Sequence, residues 1–360
     1  MLQRVYFDNF RCLEKFEFKP ERVNLILGRN GSGKSTLFDA LQCVVRLVTG
    51  ESPATVLPLD TLPWWDLKRR QVFELEFGDE GGPPLFSYTL IIGRTDREPP
   101  IVVEERLMSG QRTLLSFKNG LLELAGVTKS IPFDGKRSAV GLGLGSDAGL
   151  VKFQTQVTSL LVFRVNPWSF DLSANSENRV LWTSGGNLVA FLRHWSQSDP
   201  AAFLDWKSRV LRSMPQVEDL QLREVTPGSR MLVASKQVDG LEMLMSLANL
   251  SDGERSLLAL QAVAGFVSEN DIVALDEPDN FLAPSEIQPV LRQFTVEPLH
   301  EPGPQLFVIT HHPRSIDYLA SYATWLFERD STGTTRVRRH EFDRSEGERP
   351  ADSLLVELSQ

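Results

Sequence analysis

Short apolar stretches at Leu2 to Tyr6 and Phe16 to Phe18, followed by the continuous apolar run Val23 to Leu27, predict three strands, the last ending at Gly28. From Thr36 to Val48 the period changes. Leu37, Ala40, Leu41, Val44, Val45, Leu47 and Val48 recur at helical spacing up to Gly50, so the chain opens as strand, glycine-rich loop and helix.

Between about 51 and 244 the pattern is different. Val72 to Phe77 and Phe86 to Ile92 read as antiparallel strands around the turn formers Gly81, Gly82, Pro83 and Pro84. Ser198-Asp199-Pro200 marks a helix start that leads into the amphipathic stretch Ala201 to Met214. Gly141 to Gly149 is glycine-rich but lacks a strand-helix-strand setting, and it reads as a loop. From Leu250 onward α/β alternation returns, with a helix at about 253 to 267, a strand at Asp271 to Leu275, a helix after Pro284 and a strand at Leu306 to Thr310. Buried runs of this kind predict a parallel sheet. Arg336 to Glu348 reads as exposed and Asp352 to Leu358 as a short helix. The expected division is an ATPase-like body from 1–50 and 245–345, an inserted β-subdomain with a helical arm from 51–244, and a tail from 346–360.

At 360 residues, with 41% hydrophobic and 24% charged positions, the chain can bury a sizeable core and has no signature of disorder. A net charge of −9 means that any nucleic-acid contact must come from a local basic patch. Cys12 and Cys43 match no metal motif or disulfide framework, and no signal segment or long apolar run is present. A soluble, cytoplasmic protein is expected, with any membrane attachment left to a partner.

Gly28-Arg29-Asn30-Gly31-Ser32-Gly33-Lys34-Ser35-Thr36 satisfies the P-loop pattern between a strand and a helix, the place where backbone N–H groups and the helix dipole meet phosphate. Lys34 is expected on the β- and γ-phosphates, Ser35 on Mg²⁺ and Thr36 near the α-phosphate, with Asn30, Gly31, Ser32 and Gly33 lining the cradle. The strand Ile272 to Leu275 ends in Asp276 and Glu277. Asp276 is assigned to Mg²⁺ and Glu277 to orienting and deprotonating the attacking water. After the next strand comes Thr310-His311-His312-Pro313. His311 is the expected γ-phosphate sensor, while His312 stays open between a surface and a functional role.

Leu250-Ser251-Asp252-Gly253-Glu254-Arg255 precedes a helix. Ser251 and Glu254 alone form a capping box, and the same N-terminus is also a phosphate-binding end. The order of motifs decides between them. P-loop, long insertion, LSDGE, strand-DE and strand-THH resemble the ABC ATPase layout, which implies an α/β fold with a mixed sheet flanked by helices. In it, Ser251, Asp252, Gly253 and Glu254 of one subunit would cover ATP held by the other. Asp252 stands where a glycine is common.

Asn9-Phe10-Arg11, LSDGER, the DEPDNFLAP run and THHP together resemble OLD-family and RecF- or SMC-like ATPases. That resemblance covers 1–50 and 245–345. It implies that Arg11 lies near the nucleotide and that Asp279 and Asn280 link the two sites. No glutamine is assigned to the loop that usually contacts the metal, since Gln71, Gln154 and Gln156 all fall in the insertion. Many OLD-like proteins carry a toprim nuclease domain, for which this chain has no room. The expected function is therefore an ATP-hydrolysing, Mg²⁺-dependent homodimer or higher oligomer that regulates a separate effector, a nuclease or toxin, in prokaryotic antiviral defence. The alternative is a DNA-binding ATPase of repair or recombination that uses Lys68-Arg69-Arg70 or Arg336, Arg338 and Arg339. A transport cassette fits poorly with the large insertion, and a non-hydrolysing sensor fits poorly with Glu277.

Overall fold

In the computed structural model, residues 1–63, 70–95, 98–144, 147–238, 241–296, 302–342, 349–352 and 354 are described. Trp64, Trp65, Lys68 and Arg69, and most of the expected helix after Asp352, lie outside them.

The N-terminal strands β1 (Leu2–Asp8) and β2 (Phe16–Phe18) pair with each other, and β3 (Val23–Leu27) runs into the loop before α1 (Lys34–Val48). After a one-turn helix α2 (Pro53–Val56) come β4 (Arg70–Gly78), β5 (Pro84–Gly93), β6 (Ile101–Ser109), β7 (Arg112–Lys118), β8 (Leu121–Leu124) and β9 (Ile131–Pro132). Their alternating burial is that of strands with one face on a core. They extend β1 and β2 into one antiparallel sheet, in the order β2-β1-β4-β5-β6-β7-β8-β9.

Helix α3 (Ala148–Thr158) leads to β10 (Leu160–Phe163). A two-residue strand β11 (Ser173–Ala174) and the helices α4 (Leu188–Ser198) and α5 (Pro200–Ser213) follow. Asp199 caps α5 by accepting a hydrogen bond from the Ala202 N–H at 3.0 Å. The strands β12 (Asp219–Thr226), β13 (Ser229–Val238) and β14 (Leu241–Ser246) form a small antiparallel sheet centred on β13, with β11 also paired to it. The chain then runs through α6 (Asp252–Phe266), β15 (Ile272–Asp276), α7 (Pro284–Thr295), β16 (Gln305–Ile309), α8 (Pro313–Leu319), β17 (Ala323–Arg329) and β18 (Thr335–His340).

The six-stranded sheet has the order β10-β15-β16-β3-β17-β18, parallel except for the last strand. This is the mixed α/β fold that the alternation predicts. Its central strands are buried along their whole length because each face meets a different core. Ile26, Ile272, Ala274, Phe307 and Ile309 face the core shared with α1, α3 and the eight-stranded sheet. Leu25, Leu27, Val273, Leu275, Leu306 and Val308 face the core shared with α4 to α8. Residues 51–244 are distributed over all three sheets, since β10 joins the parallel sheet and β4 continues the sheet begun by β1. No helix among the described residues is long and apolar enough to cross a membrane.

Candidate functional site

The loop between β3 and α1 is held by close packing against the C-terminal hairpin. Gly28 has φ of 145°, and a Cβ there would lie 2.2 Å from the Phe327 carbonyl oxygen. Gly33, the N-cap of α1, has φ of 100°, and its Cβ would meet Thr335 Oγ1 at 2.3 Å. Only glycine satisfies both the backbone sign and the space at these two places. Thr335 Oγ1 donates to the Ser32 carbonyl at 2.8 Å and Arg329 Nε to the Gly31 carbonyl at 2.7 Å, so β17 and β18 brace the loop from outside. The first turn of α1 carries no acidic side chain and no side-chain cap, which leaves its N–H groups and dipole to an anion.

Lys34 is buried, and Nζ donates to the Gly28 and Arg29 carbonyls at 2.7 and 3.0 Å. Burial lowers its pKa, and the Glu277 and Asp276 carboxylates oppose that shift. Ser35 Oγ donates to Asp276 Oδ1 at 3.3 Å. The two are hard oxygen donors, and Mg²⁺ needs few protein ligands because phosphate and water complete its shell, so the pair fits that ion. Among the described residues no cluster of three or more His, Cys, Asp or Glu offers a fuller metal cage. Thr36 Oγ1 lies 3.6 Å from Cys12 Sγ.

Glu277 follows β15 with φ of 50°, in the left-handed region, while its N–H donates to the Ile309 carbonyl at 2.9 Å. A non-glycine residue in this region costs about 1–3 kcal/mol and turns the side chain out of the strand direction. Asn280 Nδ2 holds Glu277 Oε2 at 2.7 Å, and Asp279 accepts from Thr310 Oγ1 at 2.5 Å, which ties the ends of β15 and β16 together. His311 Nε2 stands 3.8 Å from Glu277 Oε1. Burial and, after it, the positive charge of Lys34 hold the His311 imidazole below its ordinary pKa, against the pull of Glu277 and its acidic neighbours. His312 instead caps α8, its Nδ1 accepting from the Arg314 N–H at 3.2 Å.

Arg11 reaches Asp39 at 2.5 Å, one turn of α1 beyond Ser35. Arg164, just past β10, was not anticipated from the chain pattern. Its Nε and Nη2 lie 2.7 and 2.5 Å from Asp276 Oδ2, and Nη2 is 3.5 Å from Asp39. Parallel pairing of β10 with β15, Phe163 opposite Leu275, brings it there. Gln71, by contrast, is buried against Asn9 and Thr61, and Gln154 reaches the Val48 carbonyl.

Ser251 forms the N-cap of α6. Its Oγ accepts from the Glu254 N–H at 3.2 Å, and Glu254 Oε2 accepts from the Ser251 N–H at 2.8 Å. Burial by itself would raise the Glu254 carboxyl, but hydrogen bonds from Ser251, Gln216 and Lys236 outweigh it and hold the group at about 2. Gly253 has no room for a Cβ, which would meet the Phe281 carbonyl at 2.8 Å. Asp252 accepts from Trp168 Nε1 at 2.9 Å and pairs with Arg255 at 2.8 Å, while Arg255 donates to the Pro167 carbonyl at 3.0 Å. Trp168 is 71% exposed, edge-on to Phe281. The exposed Trp168 beside Ser251 was also missed by pattern reading, because nothing local in the chain marks it.

Residues 4–55 match the family described as AAA domain, and residues 170–317 match the family described as AAA domain, putative AbiEii toxin, type IV TA system. No curated protein matches the chain. Among solved structures, it is similar to an SMC head bound to the C-terminal winged-helix domain of ScpA, at 15% identity and a TM-score of 0.52, covering 95% of this chain and 98% of that one. It is also similar to the Pyrococcus furiosus Smc head with an extended coiled coil, bound to the C-terminal domain of ScpA. There the identity is 13% and the TM-score 0.52, over 100% and 99% of the two chains. Thus the chain carries AAA-type ATPase sequence on both sides of its middle region, folded as in the ABC-type P-loop ATPase heads of SMC proteins.

Proposed function

We propose that this protein binds and hydrolyses MgATP as an ATP-dependent homodimer and that the cycle regulates a separate effector, a nuclease or toxin, in antiviral defence. The observation that carries the catalytic part is the convergence of Lys34, Ser35, Asp276, Glu277 and His311 at the carboxyl ends of β3, β15 and β16. Lys34 and the α1 N-terminus bind the triphosphate, and Ser35 with Asp276 holds Mg²⁺, which when bound offsets phosphate charge. Glu277, aimed by its left-handed backbone and by Asn280, orients a water for in-line attack and takes its proton. His311, its pKa lowered by burial and by Lys34, is a hydrogen-bonding group beside it. Ser251 and the α6 N-terminus, exposed beside Trp168, supply the surface that a second copy presents to the nucleotide. The toxin description of the family matched over 170–317 favours a defence role.

The resemblance of the Asn9-Phe10-Arg11, LSDGER and THHP segments to RecF- or SMC-like ATPases motivates a second reading, a DNA-binding clamp. Against it, the basic strip of β18 is already engaged, Arg336 with Asp330 at 3.1 Å, Arg338 with Glu328 at 3.3 Å, and Arg339 with Glu21 and the Trp325 ring. The deciding measurement is the mass-resolved assembly state of Glu277→Gln protein with and without MgATP. A dimer that requires ATP and is lost in Ser251→Arg is the expected result. An assembly state indifferent to both would leave Ser251 as a helix cap and end the composite-site reading.

A further inference from the structure

Two carboxylates, Asp39 on α1 and Asp276 at the end of β15, are spanned by one guanidinium. Arg164 grips Asp276 Oδ2 through two nitrogens, at 2.5 and 2.7 Å, and reaches Asp39 at 3.5 Å. Asp39 is in turn held by Arg11 at 2.5 Å. Asp276 is almost wholly buried, its side chain 3% exposed, so its charge is poorly screened and its partner matters. The other oxygen, Oδ1, faces Ser35. The carboxylate that suits Mg²⁺ thus already has a cation of the protein's own attached to it.

We propose that Arg164 is an internal counter-ion of Asp276 that sets how much Mg²⁺ the site needs. A guanidinium and a divalent ion that share one carboxylate repel each other, and the guanidinium withdraws negative charge from the oxygen left for the metal. Arg164 therefore weakens Mg²⁺ binding whether it stays in place or is pushed toward Asp39. Nη2 reaches both carboxylates and Nε adds a second hydrogen bond to Asp276, a forked contact that the point charge of a lysine ammonium does not reproduce. Arg164 is a positioning residue here, acting through Asp276. The inference rests on the reading of Ser35 and Asp276 as the Mg²⁺ ligands of an ATP site.

The test is a Mg²⁺ titration of the binding of N-methylanthraniloyl-ATP, followed by fluorescence, in the full chain and in Arg164→Gln and Arg164→Lys. Loss of an opposite charge at this distance changes a carboxylate's affinity for a competing cation by about one to three decades, so the Mg²⁺ midpoint in Arg164→Gln is expected to fall roughly tenfold. Arg164→Lys moves it the same way by less. An unchanged or raised midpoint in Arg164→Gln, with nucleotide still bound, overturns the inference and leaves the ATP site standing. If Arg164→Gln does not fold, the lysine variant decides by the same criterion. Absence of any Mg²⁺-dependent nucleotide binding by the unaltered protein overturns both this inference and the site reading on which it rests.

Discussion

Glu254 shows how one side chain can serve two ends. It closes the capping box on Ser251 and accepts from Lys236 at 3.0 Å and Gln216 at 3.0 Å, which is why its carboxyl stays at about 2 despite partial burial. The folded pKa lies below the unfolded value of 4.5, so the unfolded chain binds the proton first as pH falls. The stability this carboxylate contributes is complete above pH 4.5 and is lost between 4.5 and about 2. Discounted for solvent screening of this partly exposed group, Glu254→Gln is expected to lower stability by ~1 kcal/mol at pH 7 and to flatten that acid limb, as read from urea unfolding at several pH values. Equal losses in variant and parent across the limb would place the titration elsewhere. At this scale the chain pattern located Lys34, Ser35, Asp276, Glu277 and Ser251 because each sits in a fixed local spacing. Arg164 has none, and its position depends on which strand lies beside β15. The chain pattern leaves His312 open between surface and function, and its place before Pro313 is that of a helix cap.

Among the elements, the β17–β18 hairpin has the least visible part in the site. Its strands show no phosphate motif, yet Arg329 and Thr335 donate to the carbonyls of Gly31 and Ser32, and the Phe327 carbonyl sets the space around Gly28. Thr335 is fully buried, so Thr335→Val keeps its shape while leaving the Ser32 carbonyl without this donor. The expected cost is about 1–2 kcal/mol in denaturant unfolding, together with weaker nucleotide binding. A loss of stability with nucleotide affinity untouched would mean that the hairpin supports the sheet and not the loop. The elements around the candidate site are legible in the chain pattern, whereas β6 to β14, α3, α4, α8, β17 and β18 are not marked by it. The strand at Val23–Leu27 and the helices at Lys34–Val48 and Asp252–Phe266 lie within a residue or two of the periodic segments.

For the molecule as a whole, the central sheet divides two cores, and each of its parallel strands contributes alternate residues to both. Phe307 belongs to the core beneath the eight-stranded sheet, in edge contact with Phe18 and Phe38. Trp206, fully buried, belongs to the opposite core among α4, α5 and α6. Since both cores depend on the same strands, they are expected to unfold together. Phe307→Ala should remove about 3–5 kcal/mol and shift the unfolding midpoint reported by the Trp206 indole N–H resonance as far as that reported by circular dichroism. Separate midpoints would show that the two cores melt as independent units.

The linear chain by itself determined the strands and helices that flank the glycine loop, the Asp276–Glu277 pair and Ser251, because periodicity, glycine placement and capping act over a few neighbouring residues. Strand order was decided only in three dimensions. The β10-β15-β16-β3-β17-β18 sequence of neighbours and the joining of β1 to β4 arise from hydrogen-bond registers between residues far apart in the chain. Those registers carry Arg164 to Asp276, Thr335 to Ser32 and Trp168 to Asp252, contacts that no local spacing encodes.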